Sequence, residues 1–128
     1  MTNSDDPDAL RETIVRQLQR AYNSDPEYDA STGPWGGGGG PTPDIVVSRS
    51  HRVVHLFRVA VGVLSLDDAD RDWRAIGILA DSLNAPFWLV VPAESLATAR
   101  ALCEEAGVLG RLAVSVNAPG SPARFEWY

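Results

Sequence analysis

The sequence predicts an α/β protein with a mixed central sheet and helices on both of its faces. Apolar residues recur at helical spacing in three segments, and short apolar runs typical of strands lie between them. A hairpin-length turn at 48–51 makes the first two main strands antiparallel, whereas a helix-length connection at 92–110 makes the last two parallel. The 128 residues suit one domain, 1–128, around one core.

The first helix is expected over residues 7–23. Asp6 can cap it, and Pro7 suits the first helical position. Its apolar face repeats every four residues, at Leu10, Ile14, Leu18 and Tyr22. A Gly/Pro-rich loop follows at 24–43, with five consecutive glycines that favour mobility and a short edge strand near Tyr28.

The remaining elements follow in the order strand, strand, helix, strand, helix, strand. Their expected bounds are 45–48, 52–63, 68–84, 87–91, 96–106 and 111–117. Trp73 and Cys103 lie on the apolar stripes of the two later helices, so both are expected in the core. Residues 118–128 form an irregular tail whose aromatic residues pack either on this domain or on a partner.

The composition limits the possible partners. The net charge is −6, and all eleven basic side chains are arginine, so no mechanism can use a lysine. An acidic chain without a basic run does not favour nucleic acid. The single cysteine excludes an internal disulfide, and no apolar run is long enough for a membrane span. Without a signal-peptide pattern at its start, the chain is expected to be cytoplasmic.

One constellation resembles a known superfamily. Pro43-Asp44 opens a strand hairpin, the helix of 68–84 follows, and the segment FWLVVPAESLATARALCEEAGVLGRLAVSV supplies a strand, a helix and a last strand. These features resemble the PD-(D/E)xK, or restriction-endonuclease-like, superfamily from residue 8 to residue 117. The resemblance implies a restriction-endonuclease-like mixed central sheet flanked by helices.

The same resemblance implies a metal-dependent phosphodiesterase, in which two acidic residues hold Mg²⁺ and a lysine stabilises charge. Asp44 corresponds to the family's aspartate. The positions of the second acid and of the lysine hold Phe57 and Val59 or, in a register shifted by one, Leu56 and Arg58. Arg58 cannot act as a neutral base. Asp44 therefore makes only a weak, incomplete metal site.

Three functions stay open. The leading hypothesis is a non-catalytic restriction-endonuclease-like domain that acts as an interaction or assembly module, with no cofactor and with a protein partner or a homo-oligomer. The first alternative is a Mg²⁺-dependent nuclease with a migrated active site, where Asp44, His55, Arg58 and an acid such as Glu12 or Asp68 converge, although helix geometry turns Glu12 away from the apolar face. The second alternative is an unrelated α/β binding module.

Overall fold

The computed structural model describes residues 7–32, 42–108, 110–116 and 124–127, and these form one six-stranded mixed sheet with helices on both faces. The strands lie side by side in chain order, β1 to β6. Their bounds are β1 Tyr28–Ser31, β2 Ile45–Arg49, β3 Arg52–Val59, β4 Phe87–Pro92, β5 Arg111–Val116 and β6 Arg124–Trp127. The glycine run and its predicted mobility, Asp6 and residues 117–123 lie outside the described residues.

The strand directions agree with the sequence prediction. β1, β2 and β3 form an antiparallel meander. β3, β4 and β5 are parallel, because each connection between them contains a helix. The expected antiparallel hairpin and the expected parallel pair are therefore confirmed, and the predicted edge strand near Tyr28 is β1.

The predicted helices are present, with one unforeseen irregularity. α1 spans Pro7–Asn23 and α4 spans Leu96–Ala106. Between β3 and β4, α2 (Leu66–Asp68) continues through a π-helical turn (Ala69–Trp73) into α3 (Arg74–Ser82). The Ser65 side chain caps α2 by accepting a hydrogen bond from the Asp68 backbone N–H.

The hairpin between β2 and β3 is tighter than the sequence suggests. Its two turn residues, Ser50 and His51, have φ angles of 53° and 65°, and positive φ at both positions is what a type I′ hairpin turn requires. β3 ends at Val59 and not at residue 63, so the expected length of this strand was wrong. Three residues later Gly62 has a φ of 77°, a left-handed conformation that glycine adopts easily, and the chain turns away from the sheet there.

The core consists of two apolar layers, one on each face of the sheet. α1 packs on one face, against strands β1 to β3. The π-helical turn, α3 and α4 pack on the other face, where Trp73 is 2% exposed and Cys103 is partly buried at the edge of the layer. The expected core positions of Trp73 and Cys103 are therefore close to what is observed. β4 is buried on both faces from Phe87 to Val91, as its unbroken apolar run predicts.

The C-terminal tail is not wholly irregular, which corrects the sequence prediction. Residues 124–127 form β6, antiparallel to β5 and at the edge of the sheet. Side chains alternate along a strand, so Phe125 and Trp127 lie on one face of β6. A segment of four residues is too short for its periodicity to predict a strand. None of the described helices is long and apolar enough to cross a membrane.

Candidate functional site

The strongest polar constellation surrounds Asp44, at the carboxyl ends of the parallel strands. Asp44 immediately precedes β2, and its backbone N–H donates to the carbonyl of Phe57 (2.8 Å). Its side chain is 8% exposed, and its Oδ2 accepts a hydrogen bond from the Val59 N–H (2.7 Å). Asp44 is thus held to β3 by one backbone and one carboxylate hydrogen bond, and it joins β3 to the start of β2.

Two arginines from different elements converge on the other oxygen of this carboxylate. Arg58 of β3 donates from Nη1 to Asp44 Oδ1 (3.2 Å), and Arg11 of α1 donates from Nη2 to the same atom. The hydrogen bond to Asp44 is also the main cause that raises the pKa of Arg11. Both oxygens of Asp44 are therefore occupied by donors from this chain.

Arg58 also connects Asp44 to the opposite face of the sheet. Its Nη2 donates to Asp72 Oδ1 (2.6 Å), on the π-helical turn, and to the backbone carbonyl of Thr42 (2.9 Å). The Arg58 side chain is 14% exposed, and its Nε is buried without a hydrogen-bond partner among the described residues. The four side chains Arg11, Asp44, Arg58 and Asp72, called here the ionic cluster, carry two positive and two negative charges.

The ionic cluster lies between two surface depressions, both of which Arg11 and Arg58 line. The larger, of about 760 Å³, lies beside α1, and the smaller, of about 280 Å³, lies beside the π-helical turn. The larger is also lined by Asp8, Glu12, Val15, Arg16, Gln19, Thr32, Thr42, Pro43 and Asp44. Each arginine in this depression has an acidic residue nearby, so the depression does not present an excess of either charge.

The structure brings together only some of the candidate residues. Asp44 and Arg58 are in contact, as the migrated-site hypothesis requires. Glu12 lines the larger depression, but its exposed carboxylate pairs with Arg16 (3.9 Å). Asp68 is exposed and lines the smaller depression.

His55 belongs to a different part of the molecule. Its Nδ1 accepts a hydrogen bond from Trp88 Nε1 (3.2 Å), and its ring packs among those of Tyr22, Phe57 and Trp88. Burial in this aromatic group lowers the pKa of His55 and favours the neutral ring. These contacts give His55 a local role in packing, within the apolar layer that α1 covers.

Sequence reasoning missed two members of the ionic cluster, Arg11 and Asp72. Arg11 lies three residues before the buried Ile14, which places it at the margin of the apolar face of α1. Asp72 directly precedes the buried Trp73, which is weaker evidence for a place in the cluster than the position of Arg11. The direction of the Asp72 side chain depends on the π-helical turn, and no pattern in the sequence predicts the wider winding of that turn.

Metal ligands and nucleophiles are scarce around the cluster. The described residues contain no group of three or more His, Cys, Asp or Glu side chains that could hold a metal ion. Burial raises the pKa of the Cys103 thiol to about 11, so little thiolate forms at neutral pH. Cys103 lies on α4, which packs on the far face of the sheet from α1.

Comparison with protein-family models, with curated proteins and with solved structures gave no match to this chain. What the chain does is therefore inferred from its own residues.

Proposed function

We propose that the chain is a non-catalytic, restriction-endonuclease-like domain that acts as an interaction or assembly module. The observation that carries the proposal is the ionic cluster. The carboxylate that would hold a metal in a nuclease of this kind accepts hydrogen bonds from Arg11, Arg58 and the Val59 N–H. The antiparallel meander, followed by a helix and a parallel strand, is the arrangement that this fold would need.

Electrostatics explains why this arrangement opposes metal catalysis. A Mg²⁺ ion at Asp44 would lie next to two guanidinium groups, which cannot lose their protons at any ordinary pH. The ion sheds its water ligands reluctantly and is held by several oxygen ligands, so it would have to displace at least one arginine. Internal pairing therefore gives Asp44 a structural role, as a tie between α1, β2 and β3.

A nuclease assay combined with direct metal titration tests the proposal. Plasmid, single-stranded DNA and RNA are incubated with the chain and Mg²⁺ or Mn²⁺, with the Asp44→Ala variant as the control. We expect no cleavage by either protein, and no saturable heat of binding when Mn²⁺ is titrated into the chain. Metal-dependent cleavage that disappears in Asp44→Ala would contradict the proposal and support the migrated-site nuclease.

The same experiment addresses the nuclease alternative through its own residues. In that alternative Arg58 and an acid such as Glu12 or Asp68 act together with Asp44, so Arg58→Ala, and Glu12→Gln or Asp68→Asn, would reduce cleavage. In a non-catalytic domain these variants change only stability. The Arg16→Gln variant is the matched control, because Arg16 lines the same depression and belongs neither to the ionic cluster nor to the candidate residues of the migrated site.

A further inference from the structure

A cavity that is separate from the two depressions of the ionic cluster lies between α4 and the strands β4 and β5. Its volume is about 200 Å³. The interior is formed by apolar side chains from the strands, the helix and the turn after it: Phe87, Leu89, Cys103, Val108 and Leu112. The two residues from β4 are 2% and 0% exposed, so a molecule in the cavity contacts the buried apolar layer on this face of the sheet.

The turn after α4 fixes one wall of the cavity. Gly107 ends the helix with a φ of 69°, the left-handed conformation that commonly closes helices. The Val108 N–H then donates to the Cys103 carbonyl (2.9 Å), which folds Val108 back beside Cys103. A helix-capping hydrogen bond therefore holds these two lining residues together.

Gly110 determines where a second wall lies. A Cβ atom at this position would be 2.8 Å from Cδ2 of Phe87, a separation that real Cβ atoms essentially never show. The absence of a side chain at Gly110 therefore lets the Phe87 ring occupy the place in which it lines the cavity.

The cavity carries little charge. Burial raises the pKa of the Cys103 thiol to about 11, so the thiol is protonated at neutral pH. Arg111 directs its guanidinium over the Trp88 ring (5.6 Å to the centroid), on the other face of the sheet, so its backbone is the part that lines the cavity. Arg100 and Glu104 at the rim are exposed, lie one helical turn apart and have opposite charges. This lining favours an uncharged apolar ligand over an ion.

We propose that this cavity is a binding site for a small, uncharged, apolar molecule, with one aromatic ring or an aliphatic group of similar size. The volume of about 200 Å³ sets the size of the ligand. An apolar cavity of about 150 Å³ accepts benzene, whereas sites for drug-sized ligands have about 300–1,000 Å³. Removal of the ligand's apolar surface from water favours binding. The site is independent of the ionic cluster and of the proposed interaction module, so the two proposals can fail separately.

Methyl-group NMR of the full chain, with benzene as the probe, tests the proposal. We expect the methyl resonances of Leu89, Val108 and Leu112 to shift as benzene is added and to saturate, because the ring current of a bound benzene acts only over short distances. So small a ligand makes few contacts, and the dissociation constant should be about millimolar. The methyl groups of Ile14, in the apolar layer that α1 covers, should not shift. The absence of a saturable shift at the cavity, or equal shifts at Ile14, would overturn the proposal.

Filling the cavity is the second arm of the experiment. Cys103→Leu places a larger, branched side chain in the cavity, and Gly110→Ala pushes the Phe87 ring toward it. Each variant should weaken benzene binding about tenfold or more, with circular dichroism to verify the fold. Ile78→Phe adds volume at a side chain that is 56% exposed on α3, so this matched control should keep the wild-type affinity. Unchanged benzene binding in a folded Cys103→Leu or Gly110→Ala chain would show that benzene binds elsewhere and would overturn the proposal.

Discussion

The ionic cluster and the β6 edge are the two most distinctive regions of the molecule, and they differ in whether their interactions are complete. In the ionic cluster every charged side chain has a partner from this chain, and Asp44 has three donors. At β6, Trp127 is nearly half exposed, and among the described residues the strand pairs with β5 alone. The carboxylate to which the proposed fold would assign a metal is therefore internally satisfied, whereas the more exposed aromatic surface lies at the β6 edge of the sheet.

Removal of the Asp44 carboxylate should reduce the free energy of unfolding more than any other change considered, because three donors in and around the ionic cluster lose their acceptor. Asp44→Ala leaves Arg58, which is mostly buried, without one of its carboxylates and leaves the Val59 N–H without an acceptor. We expect a loss of about 3 kcal/mol in the free energy of unfolding. Urea unfolding followed by tryptophan fluorescence measures it.

Asp72→Ala is the matched control for that loss. It removes a carboxylate from the same Arg58 guanidinium, but the Asp72 side chain is 39% exposed. Solvent screens this pair, and we expect a loss of about 1 kcal/mol. If Asp44→Ala is as stable as the wild-type chain, Asp44 is not a structural tie. Such a result is typical of functional sites, which are kept at some cost in stability.

The second prediction concerns how the free energy of unfolding depends on pH, through His55 among the aromatic residues between α1 and β6. Burial lowers the pKa of His55, so the folded chain binds fewer protons at this residue than the unfolded chain does. Its contribution to stability is complete above the ordinary histidine pKa of about 6.5 and falls as the pH drops below it. Protonation of Nδ1 would also remove the acceptor for Trp88.

Unfolding at about pH 5 and about pH 8 tests this pH dependence. His55→Gln should lose less stability between the two pH values than the wild-type chain does. His51→Asn should keep the full difference, since His51 is exposed in the hairpin turn and Asn tolerates its positive φ. A steeper dependence in His55→Gln would show that His55 is protonated in the folded chain.

The smallest effect is expected for Glu12, which lines the larger depression without belonging to the ionic cluster. Glu12→Gln removes an exposed ion pair with Arg16, 3.9 Å apart. Such pairs contribute little, and we expect a change below about 0.5 kcal/mol in the same urea experiment. A larger loss would mean that Glu12 interacts with the cluster in solution, which would bring the migrated-site alternative back into consideration.

The sequence by itself determined the helices and most of the strands, together with the directions of the hairpin and of the last parallel pair. The three helices, the hairpin and the parallel pair follow from apolar periodicity and connection lengths, which are local properties. The largely apolar faces of residues 52–63 and the unbroken apolar run of residues 87–91 likewise indicated the strands at the centre of the sheet. Asp44 and Arg58 were candidates because they stand where the resemblance puts the aspartate and, in the shifted register, the lysine.

Only the tertiary structure decided which groups meet. Arg11 reaches Asp44 because α1 packs over the start of β2, and Asp72 reaches Arg58 because a π-helical turn directs it toward the sheet. Residues 124–127 become a strand because β5 offers them a free edge, and four residues are too few for a pattern of their own. These outcomes depend on contacts between residues distant in sequence, which periodicity and spacing do not encode.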